Sequence, residues 1–244
     1  MQRSSRPPDR IRVQTRVHDE FDRLSNLRLH TLQPNGGLRY LSLATLGDVN
    51  DVVARAQDLL GRTFRAHGVT AVITEVEAYG GITDPASHAF VRTPRSEIMY
   101  GPSGRLYVYR IHGHHAANIV TGPQEIAAAV LLRGARIVDG LDLAYQRRGL
   151  VPEHQLARGP GNLAKALGIT MADRGSDVTE GPAIMLGERA IATEPLTGPR
   201  VGVRRAADRP WRLWLPGEPS VSVYRRHPKA EGESDPASDW LYQT

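Results

Sequence analysis

VTAVITEVEAY, residues 69–79, reads as a β-strand of unusual character. β-branched residues dominate it. Its second half alternates, which on a pleated strand places Ile73, Glu75, Glu77 and Tyr79 on one face. Two carboxylates beside an aromatic ring are odd on a plain core strand. Working outward, LYVYRI at 106–111 is a second strand, with Tyr107, Tyr109 and Ile111 sharing a face. Apolar runs predict further strands at 117–120 and 129–138, and shorter ones at 190–192, 200–203, 211–215 and 221–224. Leu46, Val49, Val52, Val53, Ala56, Leu59 and Leu60 follow helical spacing over 46–60, with Gly61 at the stop position. Gly159-Pro160-Gly161 opens a second helix running to Leu167 and closed by Gly168. The polar stretch 80–104 is long for a loop in a compact domain, and loops of that length are often functional. Strands and helices do not alternate regularly, so the class is α+β rather than a parallel βαβ array.

The chain has 244 residues, enough for a real core, with 40% hydrophobic and 23% charged residues. Its longest apolar run, 126–132, is too short to span a membrane, and no apolar segment follows the basic start as a signal peptide requires. Cysteine is absent, which excludes disulfides, thiolate metal sites, iron–sulfur clusters and a cysteine nucleophile. The net charge is +5 and the pI about 9.8, and every basic residue except Lys165 and Lys229 is arginine. That balance suits a phosphate backbone, but arginine-rich drift in a GC-rich genome produces it equally well. Residues 1–38 form a basic, mobile extension with a weak helical pattern at 18–32. A domain follows over 39–227, and 228–244 is a loose polar tail.

Four places carry chemistry. Glu75 and Glu77 offer a carboxylate beside an aromatic face, where burial would tune a base for activating water. An ordinary salt-bridged pair fits the same spacing, which does not choose between the two. Tyr79, His88, Tyr107, Tyr109, His112, His114 and His115 offer rings for stacking a base, or for filling a core. His112-Gly113-His114-His115 lacks the helical spacing of a zinc motif and has no carboxylate at ligand spacing. Arg133, closing the run Val130-Leu131-Leu132, either bridges Glu75 or Glu77, grips a phosphate, or sits in water. Gly161, in Arg158-Gly159-Pro160-Gly161-Asn162, either exposes helix amides to a phosphate or simply starts the helix. There is no P-loop, GxGxxG, GxSxG or HExxH.

Taken together, ITEVEAYGGITDPASHAF (73–90), RTPRSEIMYGPSGRLYVYRIHG (92–113), VLLRGARIVDG (130–140), ARGPGNLAKALGI (157–169), GPRVGV (198–203) and SVSVYRR (220–226) resemble the alkyladenine (3-methyladenine) DNA glycosylase family. The likeness spans about three-quarters of the chain. It implies a single mixed domain with a curved, largely antiparallel sheet core flanked by helices. It further implies an enzyme that flips damaged purines out of duplex DNA. By family pattern Glu77, the Glu of EAY, is the general base for the attacking water, and Arg133 orders the site around it. Tyr79 and His88 form one wall of the base pocket and Tyr109 the other. Asn118 rejects the exocyclic amine of guanine. His112 stands where the family usually has a tyrosine wedge, and Arg95 and Gly161 meet the DNA. The chain departs from the pattern at His112. It is also one residue shorter than expected between Gly113 and Asn118.

The expectation is therefore a monofunctional glycosylase without lyase activity, since both lysines lie outside the matched pocket strands. It needs no metal and no cofactor. Its partner is double-stranded DNA containing damaged purines, and it works as a cytoplasmic, nucleoid-associated monomer. Two other classes compete: a damage sensor that binds without cutting, and a hydrolase with a metal on His88, His112 and His115.

Overall fold

The computed structural model describes residues 52–179, 181 and 184–231. The extension 1–38, the helical pattern at 18–32, the first turn of the 46–60 helix and the tail beyond 231 lie outside these. Among the described residues, eight strands form one antiparallel sheet: β1 (Arg62–Ala66), β2 (Val69–Tyr79), β3 (Leu106–Ile111), β4 (His114–Val120), β5 (Ala129–Asp139), β6 (Ile184–Arg189), β7 (Leu196–Gly198) and β8 (Arg212–Trp214). The main order is β3-β4-β5-β2-β1-β6, and β8 pairs with both β2 and β7. Three helices flank the sheet: α1 (Val52–Leu59), α2 (Leu141–Arg148) and α3 (Pro160–Ala166). The α+β class holds.

Strand β2 is the centre of the sheet. One of its edges pairs with β5, while the other pairs with β1 in its first half and with β8 over Glu75, Val76 and Glu77. The expected face-sharing is corrected at one residue. Ile73 packs into the main apolar cluster with Val76 and Ala78, so it does not share the face of Glu75 and Glu77. The reason is a bulge: the register against β5 shifts between Ile73 and Glu75 and again between Glu75 and Val76. A bulge inverts the side-chain alternation and re-aims the residues beyond it. Here it turns two carboxylates out of the core.

The core gathers Leu59 of α1, Phe64, Val76, Leu106, Ile119, Leu132 and Leu213 of the sheet, and Leu163 of α3. Each such side chain contributes about 1.5–3 kcal/mol on burial. Residues 80–104 are a packed structure rather than a free loop. Two 3-10 turns, Gly81–Thr83 and Glu97–Tyr100, fold it against β3 and β5, where Ala89, Met99, Tyr100, Tyr107, Val120 and Ala127 form a second cluster. The β3–β4 hairpin closes through His112-Gly113, with φ of +47° and +80°. That two-residue turn with both central φ values positive matches the twist of the strands.

Four local expectations fail. Residues 190–192 lie beyond β6, which ends at Arg189. Residues 200–203 form a turn in which the Val201 N–H is taken by Glu77. Residues 221–224 are irregular because the Ser222 N–H is taken by Glu75. Backbone donors engaged by buried carboxylates are not available to a ladder. Arg133 sits within β5 rather than closing a strand.

Candidate active site

A cavity of about 520 Å³ opens where β2, β3, β4 and β5 meet the loops at 80–104 and 199–205. Its lining includes Glu77, Tyr79, His88, Tyr107, Tyr109, Asn118, Arg133 and Gly161. The structure therefore brings seven of the nine expected site residues to one space. The other two lie outside the lining: His112 is exposed at the hairpin tip, and Arg95 is exposed with its guanidinium 4.9 Å over the Tyr109 ring.

The two glutamates, equivalent by spacing, differ in what they face. Both are completely buried. Glu75 is saturated: Oε1 accepts from Arg212 Nε at 2.6 Å, Ser222 Oγ at 2.8 Å and Arg133 Nε at 3.1 Å, and Oε2 accepts from Ser222 N at 2.7 Å. Glu75 does not line the cavity. Glu77 does, and it is held more lightly. Its Oε1 accepts from Val201 N at 2.7 Å and lies 3.4 Å from Arg133 Nη1, while Oε2 accepts from Tyr79 Oη at 2.9 Å. Arg133 thus bridges the two carboxylates, which settles its three sequence-level alternatives in favour of the ion pair. Burial works against the Arg133 charge, but Glu77 and Glu75 outweigh it and raise its pKa.

The aromatic wall is built by the strand alternation. Tyr107 and Tyr109 pack at 5.5 Å between ring centroids, and His88 meets Tyr109 edge-on at 4.7 Å. His88 Nδ1 is 2.9 Å from Tyr107 Oη. Burial, aided by the nearby Arg95 charge, lowers the His88 pKa to about 4, so the imidazole is neutral at physiological pH. Burial followed by the Glu77 charge pushes Tyr79 well above an ordinary phenol, and burial, with Tyr107 adding, takes Tyr109 up to about 12. Both tyrosines therefore stay protonated, and Tyr79 can only donate to Glu77. Asn118 is buried opposite Tyr107 and donates from Nδ2 to its carbonyl at 3.0 Å.

Sequence reasoning missed Asp84, Val201, Arg200, Arg212 and Ser222. Asp84 and Arg200 form a fully buried, two-pronged ion pair behind Tyr79, with oxygen–nitrogen distances of 2.6 and 2.8 Å. These partners stand more than a hundred positions apart in the chain, so no local spacing joins them. Beside the cavity, and sharing His114, His115 and Gly161 with it, runs a second groove of about 380 Å³ lined also by Arg147 and Lys165. Among the described residues, no carboxylate lines that groove. His88, His112 and His115 do not converge: among the described residues no group of three or more His, Asp or Glu side chains is placed to hold a metal ion.

A family model described as methylpurine-DNA glycosylase matches residues 48–219. A protein of Mycolicibacterium paratuberculosis named "Putative 3-methyladenine DNA glycosylase" is 53% identical over 200 residues, covering 76% of this chain and 95% of the relative. A protein of the same name from Mycobacterium tuberculosis is 53% identical over 196 residues, covering 76% of this chain and 96% of its own length. Its namesake in Mycobacterium leprae is 51% identical over 200 residues, with coverage of 77% and 92%. The family match takes in every strand of the sheet and every residue lining the Glu77 cavity. The chain belongs to the methylpurine-DNA glycosylase family.

Proposed function

We propose that this DNA glycosylase receives a flipped alkylated or deaminated purine in the Glu77 cavity and hydrolyses its N-glycosidic bond with a water activated by Glu77. The observation that carries the proposal is the placement of Glu77: a buried carboxylate at the floor of an aromatic-walled cavity, with fewer partners than its neighbour. An ionised carboxylate has about four lone-pair positions. Val201 N–H and Tyr79 O–H occupy one on each oxygen, and Arg133 supplies the compensating charge. An acceptor position is left for a water facing the sugar.

In the step itself the water oxygen bonds to C1′ as the C1′–N bond of the purine breaks. The water proton passes to Glu77, and the electron pair of the broken bond leaves with the base. A purine alkylated at N3 or N7 is cationic and departs without prior protonation. Tyr79, Tyr109 and neutral His88 supply electron-rich walls for that cation. Asn118, on the wall at Tyr107, crowds the edge where guanine carries its amine, a penalty that disfavours ordinary guanine and that the readily leaving cationic ring of 7-methylguanine offsets. The substrates are 3-methyladenine and 7-methylguanine, with hypoxanthine and ethenoadenine as the neutral bases to be tried. Water, not an amine, is the nucleophile: Lys165 lines the second groove and Lys229 is exposed away from the cavity lining. The enzyme is therefore monofunctional.

The DNA is held around the cavity mouth. His112, at the hairpin tip, enters the space left by the flipped base. Arg95 and the groove of His114, His115, Arg147, Lys165 and Gly161 take the phosphate backbone by charge. The protein acts as a monomer on the bacterial nucleoid.

Single-turnover excision from a duplex bearing one hypoxanthine or ethenoadenine, and from methylated DNA, tests the proposal. Wild type releases base, and Glu77→Gln binds the duplex but releases base on the order of 10²–10⁴ more slowly. Tight binding without release from any of these substrates by wild type would make the protein a damage sensor instead.

A further inference from the structure

The Asp84–Arg200 pair has a geometry that a simple structural ion pair does not need. Arg200 is among the largest fully buried side chains of the molecule, and Asp84 is completely buried. The guanidinium gives two hydrogen bonds to the carboxylate and a third, from Nη1, to the Ala78 carbonyl at 2.9 Å, next to Glu77 in β2. Its Cζ lies 4.7 Å from the ring centroid of Tyr79 and 5.2 Å from that of Trp211. Its Nε has no hydrogen-bond partner among the described residues. Retaining a guanidinium where one of its donors goes unpaired is unfavourable, and an apolar side chain would fill the space without that cost.

Each end of the pair anchors a different wall of the cavity. Asp84 accepts from Gly80 N at 3.2 Å and Ala86 N at 3.1 Å, which fixes the loop carrying Pro85, Ala86 and His88. Arg200 is followed directly by Val201, whose N–H is the 2.7 Å donor to Glu77, and then by Gly202 to Arg205 on the opposite rim. Between them stands Tyr79, the other donor to Glu77, with its ring against the guanidinium. The two neutral donors that aim Glu77 therefore both rest on Arg200.

We propose that Arg200, locked by Asp84, is the positioning residue that sets the rotamer of the Glu77 carboxylate by fixing the Val201 N–H and the Tyr79 hydroxyl. The proposal rests on the Glu77 reading above. Arg200 acts through Glu77 and touches neither water nor base. A displacement of about 1 Å at a catalytic group costs roughly a hundredfold in rate, so losses of that order are expected when the pair is broken.

The test uses the full chain, with Arg200→Lys, Asp84→Asn and each of these combined with Glu77→Gln. Single-turnover release of 3-methyladenine and 7-methylguanine from methylated DNA is measured beside affinity for a duplex bearing a stable tetrahydrofuran abasic analogue. Arg200→Lys and Asp84→Asn each slow excision about a hundredfold while affinity stays within a few-fold. In the Glu77→Gln background neither causes further loss of the residual rate, because there is no carboxylate left to aim. Equal fractional losses in both backgrounds, or loss of affinity in step with rate, would reduce the pair to a structural one and overturn the proposal. So would full excision by a folded variant. If Arg200→Lys fails to fold, the isosteric Asp84→Asn carries the same comparison. Wild type that releases no base refutes the Glu77 reading and the positioning role with it. Wild type that releases base while the variants match it refutes the positioning role alone.

Discussion

Replacing Glu75 or Glu77 by glutamine separates stability from catalysis within one strand. Glu75 holds four contacts within 3.1 Å, two of them from the buried arginines 133 and 212. Glutamine keeps an acceptor for Ser222 but removes the charge that both guanidinium groups face. Breaking a buried pair by neutralising one partner costs about 3–5 kcal/mol. For a domain of this size, about 1 kcal/mol moves Tm by roughly 2–4 °C, so Glu75→Gln is expected to melt about 10 °C lower. Glu77 is different. Its carbonyl-like oxygen still accepts from Val201 N after substitution, and the new amide can donate to Tyr79 Oη, the atom that Oε2 now faces. Arg133 keeps its closer contact with Glu75. The melting loss is therefore smaller, while removal of a general base costs on the order of 10²–10⁴ in rate. Thermal melting and single-turnover excision on the same preparations give both numbers. A Glu75→Gln variant that keeps its Tm and loses excision, beside a Glu77→Gln variant that does the reverse, would refute the division of labour drawn from their partners.

The same geometry gives three further expected outcomes. Because burial holds His88 near 4, its protonation produces no inflection in the excision rate above about pH 5, as a rate profile from pH 5 to 9 will show. The folded pKa lies below the unfolded 6.5, so the stability that His88 contributes is complete above about 6.5 and is lost as pH falls towards 4. Denaturant melts across that window, with His88→Asn as the reference, measure it. Lys165→Ala lowers affinity for all duplexes alike and reduces the slope of log affinity against log salt by about 1, read by fluorescence anisotropy at several salt concentrations. His112→Ala weakens binding to a lesion-bearing duplex about tenfold, the worth of one stacking contact of about 1–3 kcal/mol, and leaves binding to single strands unchanged.

Much of this was legible in the chain. The ends of β2 and β3 coincide with the alternating runs, and Glu77, Tyr79, His88, Tyr109, Asn118 and Arg133 all meet at one cavity. Alternation worked there because one face of each strand is apolar and the other lines a cleft. It failed at Ile73, because a bulge inverts parity without leaving a composition signal. It failed at β1, RTFRA, where two arginines interrupt the apolar pattern and the strand is recognised only by its partners β2 and β6. The choice between Glu75 and Glu77 was not in the spacing at all. The resemblance made it, and the structure separates the two by Arg212, Ser222 and Val201, which approach β2 from sequence distances of more than a hundred residues. Long-range partners of buried charges are where pattern reading stops, since a carboxylate's neighbours are chosen by topology.

That topology also accounts for how three carboxylates are accommodated in a desolvated place. Glu75, Glu77 and Asp84 are buried within the reach of β2, and so are Arg133, Arg200 and Arg212. Each carboxylate lies within 3.4 Å of an arginine nitrogen, so none of the three is left without a partner. The pairing is uneven in one respect. Glu75 and Asp84 are each bound tightly by arginine, at 2.6 Å, whereas Glu77 is left with Arg133 at 3.4 Å and two neutral donors. The tight arginine contacts fall on Glu75 and Asp84, and Glu77 has fewer close partners than Glu75. On the function proposed above, a carboxylate that takes a proton from water needs an acceptor position left open, and the partners of Glu77 leave more room for one than those of Glu75, two residues away.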